Sequence, residues 1–405
     1  MSQPVFNLKP NEDQEQIQDW VHGFARDVMR PAAEEWDEKE ETPWPILEEA
    51  AKIGLYSAEG FAQMFASDPT GLTGMLVNEE LFWGDAGIAL SIMGTGLAVA
   101  ALAGNGTPEQ LFTWIGECFG TPGDLKMAAF CATEPDAGSD VSSFRTRARK
   151  DGDDWVLNGQ KIFATNGGIA DVHVVVAAVE PDLGSRGHAA FVIPPKTPGL
   201  SQGKKEKKLG IRASHTAEVI LEDVRLPAEC LLGGEEKLMA KIERAREGQK
   251  AGKQPAMSTF EATRPIVAAQ AVGIARAAYE YALDYAKQRV QFGRPIIENQ
   301  AIAFMLADMK TEIDAARLLC WRAAWMAATH QEFKNAEGSM SKLKAGRTAV
   351  WVAERAVQIF GGYGYVRDFP VQRLYRDAKI YDIFEGTEQI QQLVISRAIS
   401  GMRIQ

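Results

Sequence analysis

The period of the apolar residues changes twice along this chain, so it is expected to fold as more than one kind of unit. From about Asn11 to Phe119 the period is helical. Ile17, Val21, Phe24 and Val28 recur at three- and four-residue spacing, and Pro43 to Pro45 interrupts the chain before a second helix. The Gly/Ala-rich stretch Ala86 to Gly104 reads as a buried helix in close contact with its neighbours. Between about Met127 and Leu232 β-branched runs take over, at Val172 to Val179, Ala190 to Ile193 and Glu218 to Val224. Pro194, Pro195 and Pro198 mark turns between them. In the same zone WVLNGQKIF sets Asn158-Gly159 between two strand-like runs, which predicts a tight hairpin. From about Met257 the helical period returns in longer segments. Val267, Ala271, Ile274, Ala278 and Tyr285 share one face, as do Ile302, Met305, Met309, Ile313 and Ala316.

The fold class is therefore an α+β multidomain chain. An all-helical unit is expected over residues 1–125, a compact β unit over 126–233 and a helical bundle over 234–405, the bundle preceded by a charged insertion at about 235–255. A length of 405 residues fits this division, being long for one core. The insertion has helix-forming composition and reads as an exposed helix and linker. The run Lys204 to Lys208 reads as a solvated loop.

A formal charge of -10 argues against a nucleic-acid binder, while leaving room for a local basic patch. The cysteines, Cys118, Cys131, Cys230 and Cys320, are far apart and form no CxxC pair, and no His stands at zinc-ligand spacing. They read as small buried hydrophobes in a reduced compartment, with no metal expected. MSQPVFNLKPNEDQEQ carries no basic segment followed by an apolar core, and no apolar run suggests a membrane span. A cytoplasmic protein is the expectation.

No βαβ unit opens with GxGxxG. The cluster Gly361-Gly362-Tyr363-Gly364 follows a helical pattern and reads by itself as a helix C-terminal turn. The context adds to that. CATEPDAGSD (131–140), KIFATNGG (161–168), RVQFGRP (289–295) and QIFGGYGYVRDFPVQRLYRDAKIYDIFEGTEQIQ (358–391) stand in the order found in the acyl-CoA dehydrogenase family. The chain resembles that family from its first helix to Arg397.

The resemblance implies an N-terminal helical domain, a central β-barrel and a C-terminal four-helix bundle, with FAD held in extended form between subunits of a homotetramer. It implies that Phe130, Ala132, Thr133, Gly138 and Ser139 line the flavin, Ser139 also nearing the acyl chain. The small residues there let backbone amides approach a ligand; the plainer alternative is a polar turn with Asp140 as a cap. Phe163, where many relatives carry Trp, would pack on the isoalloxazine while Thr165 donates toward N5. Arg289 would pair with the FAD pyrophosphate, although a guanidinium there also suits a helix C-terminus. Gln291, Phe292, Asn299, Gln300, Gln358, Gly362, Thr387 and Gln389 complete the implied FAD set. Arg264 would organise the pocket, with Glu261 at the pantetheine, Gly386 at the substrate and Arg397 at CoA.

In FEGTEQI the resemblance makes Glu385 the catalytic base. Taking a proton α to a thioester needs a carboxylate whose pKa is raised by an apolar setting, and Glu385 follows the apolar run Ile380 to Phe384. The bland alternative is an acidic residue opening the last helix. Glu388 competes, but its position varies in the family. Some relatives carry the base where Thr263 stands here, and threonine cannot serve. The expected activity is oxidation of an acyl-CoA to a trans-2-enoyl-CoA, the enolate oxygen meeting the Glu385 amide and a ribityl hydroxyl. Electrons would pass to an electron-transfer flavoprotein. An acyl-CoA oxidase and a non-catalytic subunit of a hetero-oligomer are the alternatives; the presence of Glu385 and Arg289 weighs against the second.

Overall fold

Every residue of the helix Leu72–Gly84 is buried, and it packs against both N-terminal helices and helices of the C-terminal bundle. A segment apolar around its whole circumference is stable only when enclosed. Here it lies between the first helix, Glu12–Phe24, and the long helix Pro255–Gln288. The approach is close enough that a Cβ at Gly273 would sit 2.4 Å from the carbonyl oxygen of Glu79, so only glycine fits. The helix carries two buried acids, and both are answered. Glu79 accepts from Arg276 at 2.7 Å and from Arg317 Nε at 2.9 Å, and Glu80 pairs with Arg276 as well. Buried charges persist where they are paired in this way.

The computed structural model describes residues 6, 8–65, 67–249 and 255–404, apart from the side chains of 257, 258 and 260–262. Ala86 to Gly104, expected as one helix, is two: Ala86–Met93, capped by Asp85, whose side chain accepts from Ile88 N, and Thr95–Asn105. The break at Gly94 frees the Thr95 hydroxyl for the sheet, where it accepts from Ala128 N at 3.2 Å. Together Ala86–Asn105 reach the length and hydropathy of a membrane span, contrary to expectation, but 72% of that window is buried inside the protein. The interior of the fold takes the place of lipid.

The central unit is a seven-stranded curled sheet. Its strands are β1 (Ala128–Cys131), β2 (Arg147–Asp151), β3 (Asp154–Thr165), β4 (Val172–Ala178), β5 (His188–Ile193), β6 (Leu200–Lys205) and β7 (Thr216–Leu226). They lie in the order β1-β4-β2-β3-β7-β6, with β5 on β4. Asn158-Gly159 is not a hairpin. The strand runs straight through it, and the register shifts between Leu157 and Gly159. Gly159 has φ 150, and a Cβ there would lie 2.5 Å from Thr146 Oγ1, so the glycine serves a bulge and a close contact. Asn158 exchanges hydrogen bonds with Asp223 on β7, both 2.9 Å. The tight turn sits earlier, at Gly152-Asp153, with Gly152 at φ 65.

Two charged segments also differ from expectation. Lys204 and Lys205 belong to β6, and Lys208 turns inward to donate to the Ser214 carbonyl. The insertion forms the helix Glu235–Arg246, but it is docked: Leu238, Ile242 and Ala245 are buried, and Lys241 donates to the His188 carbonyl on β5 at 2.7 Å. Residues 250–254, the expected linker, lie outside the described residues. Beyond them Pro255–Gln288, Gln300–Ala328, Glu337–Phe360 and Glu388–Ser400 form the bundle, with the short helix Val371–Ala378 between the last two. Val267, Ala271, Ile274, Ala278, Met309, Ile313 and Ala316 are buried along its seam, as their spacing predicts. Gly361, at φ 62, ends the third bundle helix.

Candidate active site

Glu385 lies outside the last helix. That helix begins at Glu388 with Thr387 as its cap, the Thr387 hydroxyl accepting from Ile390 N at 3.3 Å. The plainer account of Glu385 as a helix-opening acid therefore fails, and Glu388 is the residue that fits it. Glu385 instead occupies a turn at φ 57, a left-handed conformation unusual for a residue with a Cβ, followed by Gly386 at φ 93. Its carboxylate accepts from Thr263 Oγ1 at 2.8 Å. The two positions at which the family is expected to carry its base thus meet in space. Burial among protein atoms pushes the Glu385 carboxyl up to about 7, against the lowering effects of the Thr263 hydrogen bond, Arg264 and Lys342. A carboxylate so placed is ready to exchange a proton near neutral pH.

Thr263 and Arg264 come from the long helix just before Pro265, which supplies no N–H to the turn below it. Arg264 is 3% exposed and donates to Ser339 Oγ at 3.1 Å on the third bundle helix. Gly386 lies in the same group. Its carbonyl accepts from Lys342 Nζ and Gln391 Nε2, both at 2.9 Å. The side chain of Glu261, one helical turn from this group, lies outside the described residues.

The two flavin-binding segments expected from the sequence are joined by a buried ion pair. Lys161 on β3, fully buried, donates to Glu134 Oε1 at 2.8 Å and to the Ala132 carbonyl at 2.9 Å. Glu134 also collects the backbone N–H groups of Arg145 and Thr146. Thr133 accepts from Ile162 N at 2.9 Å. This stitching leaves Phe130 and Ala132 buried, Thr133 half-buried, and Gly138 and Ser139 exposed. Asp140 does cap a short turn, accepting from Ser142 N, so the cap and the open glycine–serine pair coexist. A second irregularity of β3, between Lys161 and Ala164, turns Phe163 to φ 56 and leaves it 60% exposed. An exposed ring on a rigid bulged strand suits stacking on a planar group. Thr165 is half-buried against Gly94, where a Cβ would come within 2.8 Å of its methyl group.

Arg289 stands apart from these, just after the long helix. It lines a cleft of about 540 Å³ with Gln291 and Gly362, bounded by Tyr285, Phe360 and Tyr363. Its guanidinium carbon is 5.5 Å from the centre of the Tyr363 ring. Asn299 accepts from Arg294 at 3.0 Å at the start of the next helix; Gln300 and Gln358 are exposed. Phe292 is 98% exposed. Gln389 is exposed, its amide on Glu388. Arg397 lies in the last turn of the final helix, its guanidinium donating to the Ile404 carbonyl at 2.8 Å, so it is occupied within its own chain. Most of the expected FAD residues thus fall into two groups, a bulged strand with its stitched loop and a largely apolar cleft that the Arg289 guanidinium lines, while Thr387 and Gln389 lie at the start of the last helix. An exposed ring and a guanidinium are the residue types that suit the two ends of an extended dinucleotide, a planar ring system and a pyrophosphate.

Lys342, Gln391, Lys161 and Glu134 were not read from the sequence as site residues. For Lys342 a signal exists: it falls on the same helical face as Ala345, Ala349, Val352 and Ala356, all buried. A lysine in register with a buried stripe is out of place unless it has a partner.

A helical unit, a curled sheet and a bundle, with a buried carboxylate pushed toward neutrality and an exposed ring on a bulged strand, are the combination expected of a flavin-dependent dehydrogenase. Residues 11–119, 129–224 and 250–400 match the N-terminal, middle and C-terminal domain models of acyl-CoA dehydrogenase. The chain belongs to the acyl-CoA dehydrogenase family, whose cofactor is FAD. It is 41% identical over 394 residues to an acyl-CoA dehydrogenase of Bacillus subtilis, covering 96% of this chain and 98% of the other. The butyryl-CoA dehydrogenase of Megasphaera elsdenii superposes with TM-score 0.87 at 37% identity, covering 97% of this chain and 100% of that one. A structure described as the electron transferring flavoprotein of Acidaminococcus fermentans contains a chain matching with TM-score 0.87 at 36% identity, over 97% and 99%.

Proposed function

We propose that this chain oxidises a short-chain acyl-CoA to its trans-2-enoyl-CoA, with Glu385 as the base. The carrying observation is the Glu385 carboxyl, pushed up to about 7 and held by Thr263. Ionised Glu385 takes the proton from Cα, and its carboxyl is then the proton's resting place. Bound FAD supplies the acceptor for the hydride leaving Cβ. As the Cα–H bond breaks, charge builds on the thioester oxygen, where a preorganised donor is most effective. The Glu385 N–H has no backbone acceptor among the described residues and is the natural donor. Phe130, Ala132, Thr133, Gly138, Ser139, Phe163 and Thr165 would hold the flavin ring. Arg289, Gln291, Asn299, Gln300, Gln358 and Gly362 would hold its adenine and phosphate end. Arg264 would shape the pocket.

The short-chain preference is supported by the likeness to the butyryl-CoA dehydrogenase of Megasphaera elsdenii. An electron-transfer flavoprotein is the proposed acceptor, and a homotetramer the proposed assembly. Phe292 and Tyr365, 98% and 87% exposed beside the Arg289 cleft, support coverage by a second copy.

Anaerobic mixing with straight-chain acyl-CoA esters should bleach the flavin fastest with the four-carbon ester; a maximum at long chains refutes the short-chain preference. Turnover in air that releases peroxide without added acceptor would identify an oxidase instead. The pH dependence has a fixed sign. The base must be ionised, so kcat/KM should rise with pH through about 7 and level off above it. A profile flat from pH 6 to 8 contradicts the assignment.

A further inference from the structure

The left-handed turn at Glu385 is held by two side chains that the reaction does not itself use. Gln391 Nε2 bridges two successive carbonyls, that of Glu385 at 3.1 Å and that of Gly386 at 2.9 Å. Lys342 Nζ reaches the Gly386 carbonyl from the opposite helix at 2.9 Å. Both donors are essentially inaccessible, Lys342 at 1% and Gln391 at 0% exposure. Placing a lysine there is costly, and burial lowers it to about 8 in spite of Glu385 and Asp382 nearby. A neutral side chain would satisfy a single carbonyl with less penalty. The positive charge is therefore expected to act on something else, and the nearest reacting group is the Glu385 carboxylate.

We propose that Lys342 and Gln391 are positioning residues that clamp the Glu385–Gly386 turn. They hold the carboxylate toward Cα and the Glu385 N–H toward the thioester oxygen, with Lys342 also favouring the ionised base. This rests on the reading of Glu385 as the base. A residue with a Cβ held in the left-handed region, as Glu385 is at φ 57, persists only when its surroundings over-determine it. Gln391 comes from the helix just after the turn, and Lys342 from the third bundle helix. The clamp thus ties the base to two rigid elements. The charged groups facing Lys342 are Glu385 and Asp382 from the turn and the segment before it, Arg264 from the long helix, and Glu388 from the last helix. Arg264 and Lys342 both favour ionised Glu385, so loss of one leaves the other in place.

The test uses the FAD-loaded full chain carrying Lys342→Met, Lys342→Arg or Gln391→Met, with Glu385→Gln alongside. Misplacing a reacting group slightly costs on the order of 100-fold, so Lys342→Met should lower kcat about 10- to 100-fold with KM little changed and FAD retained. Its kcat/KM profile should move to higher pH, because the neighbouring positive charge is gone. Gln391→Met should lower kcat without moving the profile, since the amide is neutral. Lys342→Arg should recover much of the loss. Wild-type kcat and profile in Lys342→Met overturn the proposal. So does loss of FAD together with activity in both Lys342 variants, which would mean a merely structural lysine. An active Glu385→Gln would overturn the base assignment instead, and the two failures are told apart by which variant stays active.

Discussion

Glu385→Gln should lower kcat by about 1,000-fold or more while FAD stays bound, because the group that accepts the Cα proton is removed and its shape is kept. The amide oxygen can still accept from Thr263, so the turn at φ 57 should survive. The same substitution should stabilise the fold at neutral pH. Glu385 sits at about 7 in the folded chain against an ordinary value of 4.5. Below pH 4.5 both states hold the proton and the carboxyl has no effect. As pH rises through the window up to 7 the unfolded chain releases its proton first, so stability is lost, and the loss is complete above 7. The full shift corresponds to about 3 kcal/mol, and the partial exposure of the residue reduces this to about 2 kcal/mol. Thermal melts should therefore show the variant above wild type at pH 8 and equal to it at pH 4. Equal melting temperatures at both pH values would mean that the carboxylate is not desolvated.

The second large effect is expected at Lys161→Met. The two partners of this pair respond differently to burial. Desolvation lowers Lys161 to about 8 even against Glu134, whereas Glu134 is held below its usual range by Lys161 and by backbone N–H donors that it also collects. The net stabilisation from the intact pair is accordingly small, since desolvation offsets most of the attraction. Breaking it is another matter. Lys161→Met leaves Glu134 as a buried charge without its counter-ion, which costs about 3–5 kcal/mol. The flavin should suffer as well, because the pair ties the Ala132–Glu134 loop to the strand bearing Phe163 and Thr165. FAD affinity should fall about tenfold or more, so that the purified variant is pale. Lys161→Met with Glu134→Leu should recover most of the stability but not the FAD affinity. Full FAD retention in Lys161→Met would show that the loop and strand are aligned by other means.

Much of the architecture was legible in the apolar period, because a change from helical spacing to β-branched runs and back can only be met by separate kinds of unit. The errors cluster where the deciding contact is distant in sequence. Asn158-Gly159 looks like a hairpin because asparagine and glycine tolerate unusual φ, and a bulge asks for the same residues. What distinguishes them is Asp223 on the neighbouring strand. The insertion helix reads as exposed because its composition is charged, and only its register, with Leu238, Ile242 and Ala245 on one side, shows that it docks. At the site, Glu385 was legible through its segment, not through its own chemistry. Its setting was not legible: Thr263 and Lys342 reach the turn from other helices, and although the register of Lys342 in a buried stripe calls for a partner, nothing local names Gly386 or Glu385 as what these side chains meet.

The central claim is that Glu385 removes the Cα proton, and single-turnover flavin bleaching by butyryl-CoA deuterated at Cα tests it most directly. Wild type should show a primary isotope effect and a bleaching rate that rises with pH as the base ionises. Glu385→Gln, with FAD bound, should scarcely bleach at any pH. Bleaching by Glu385→Gln at the wild-type rate, with the same isotope effect, would show that another group takes the proton.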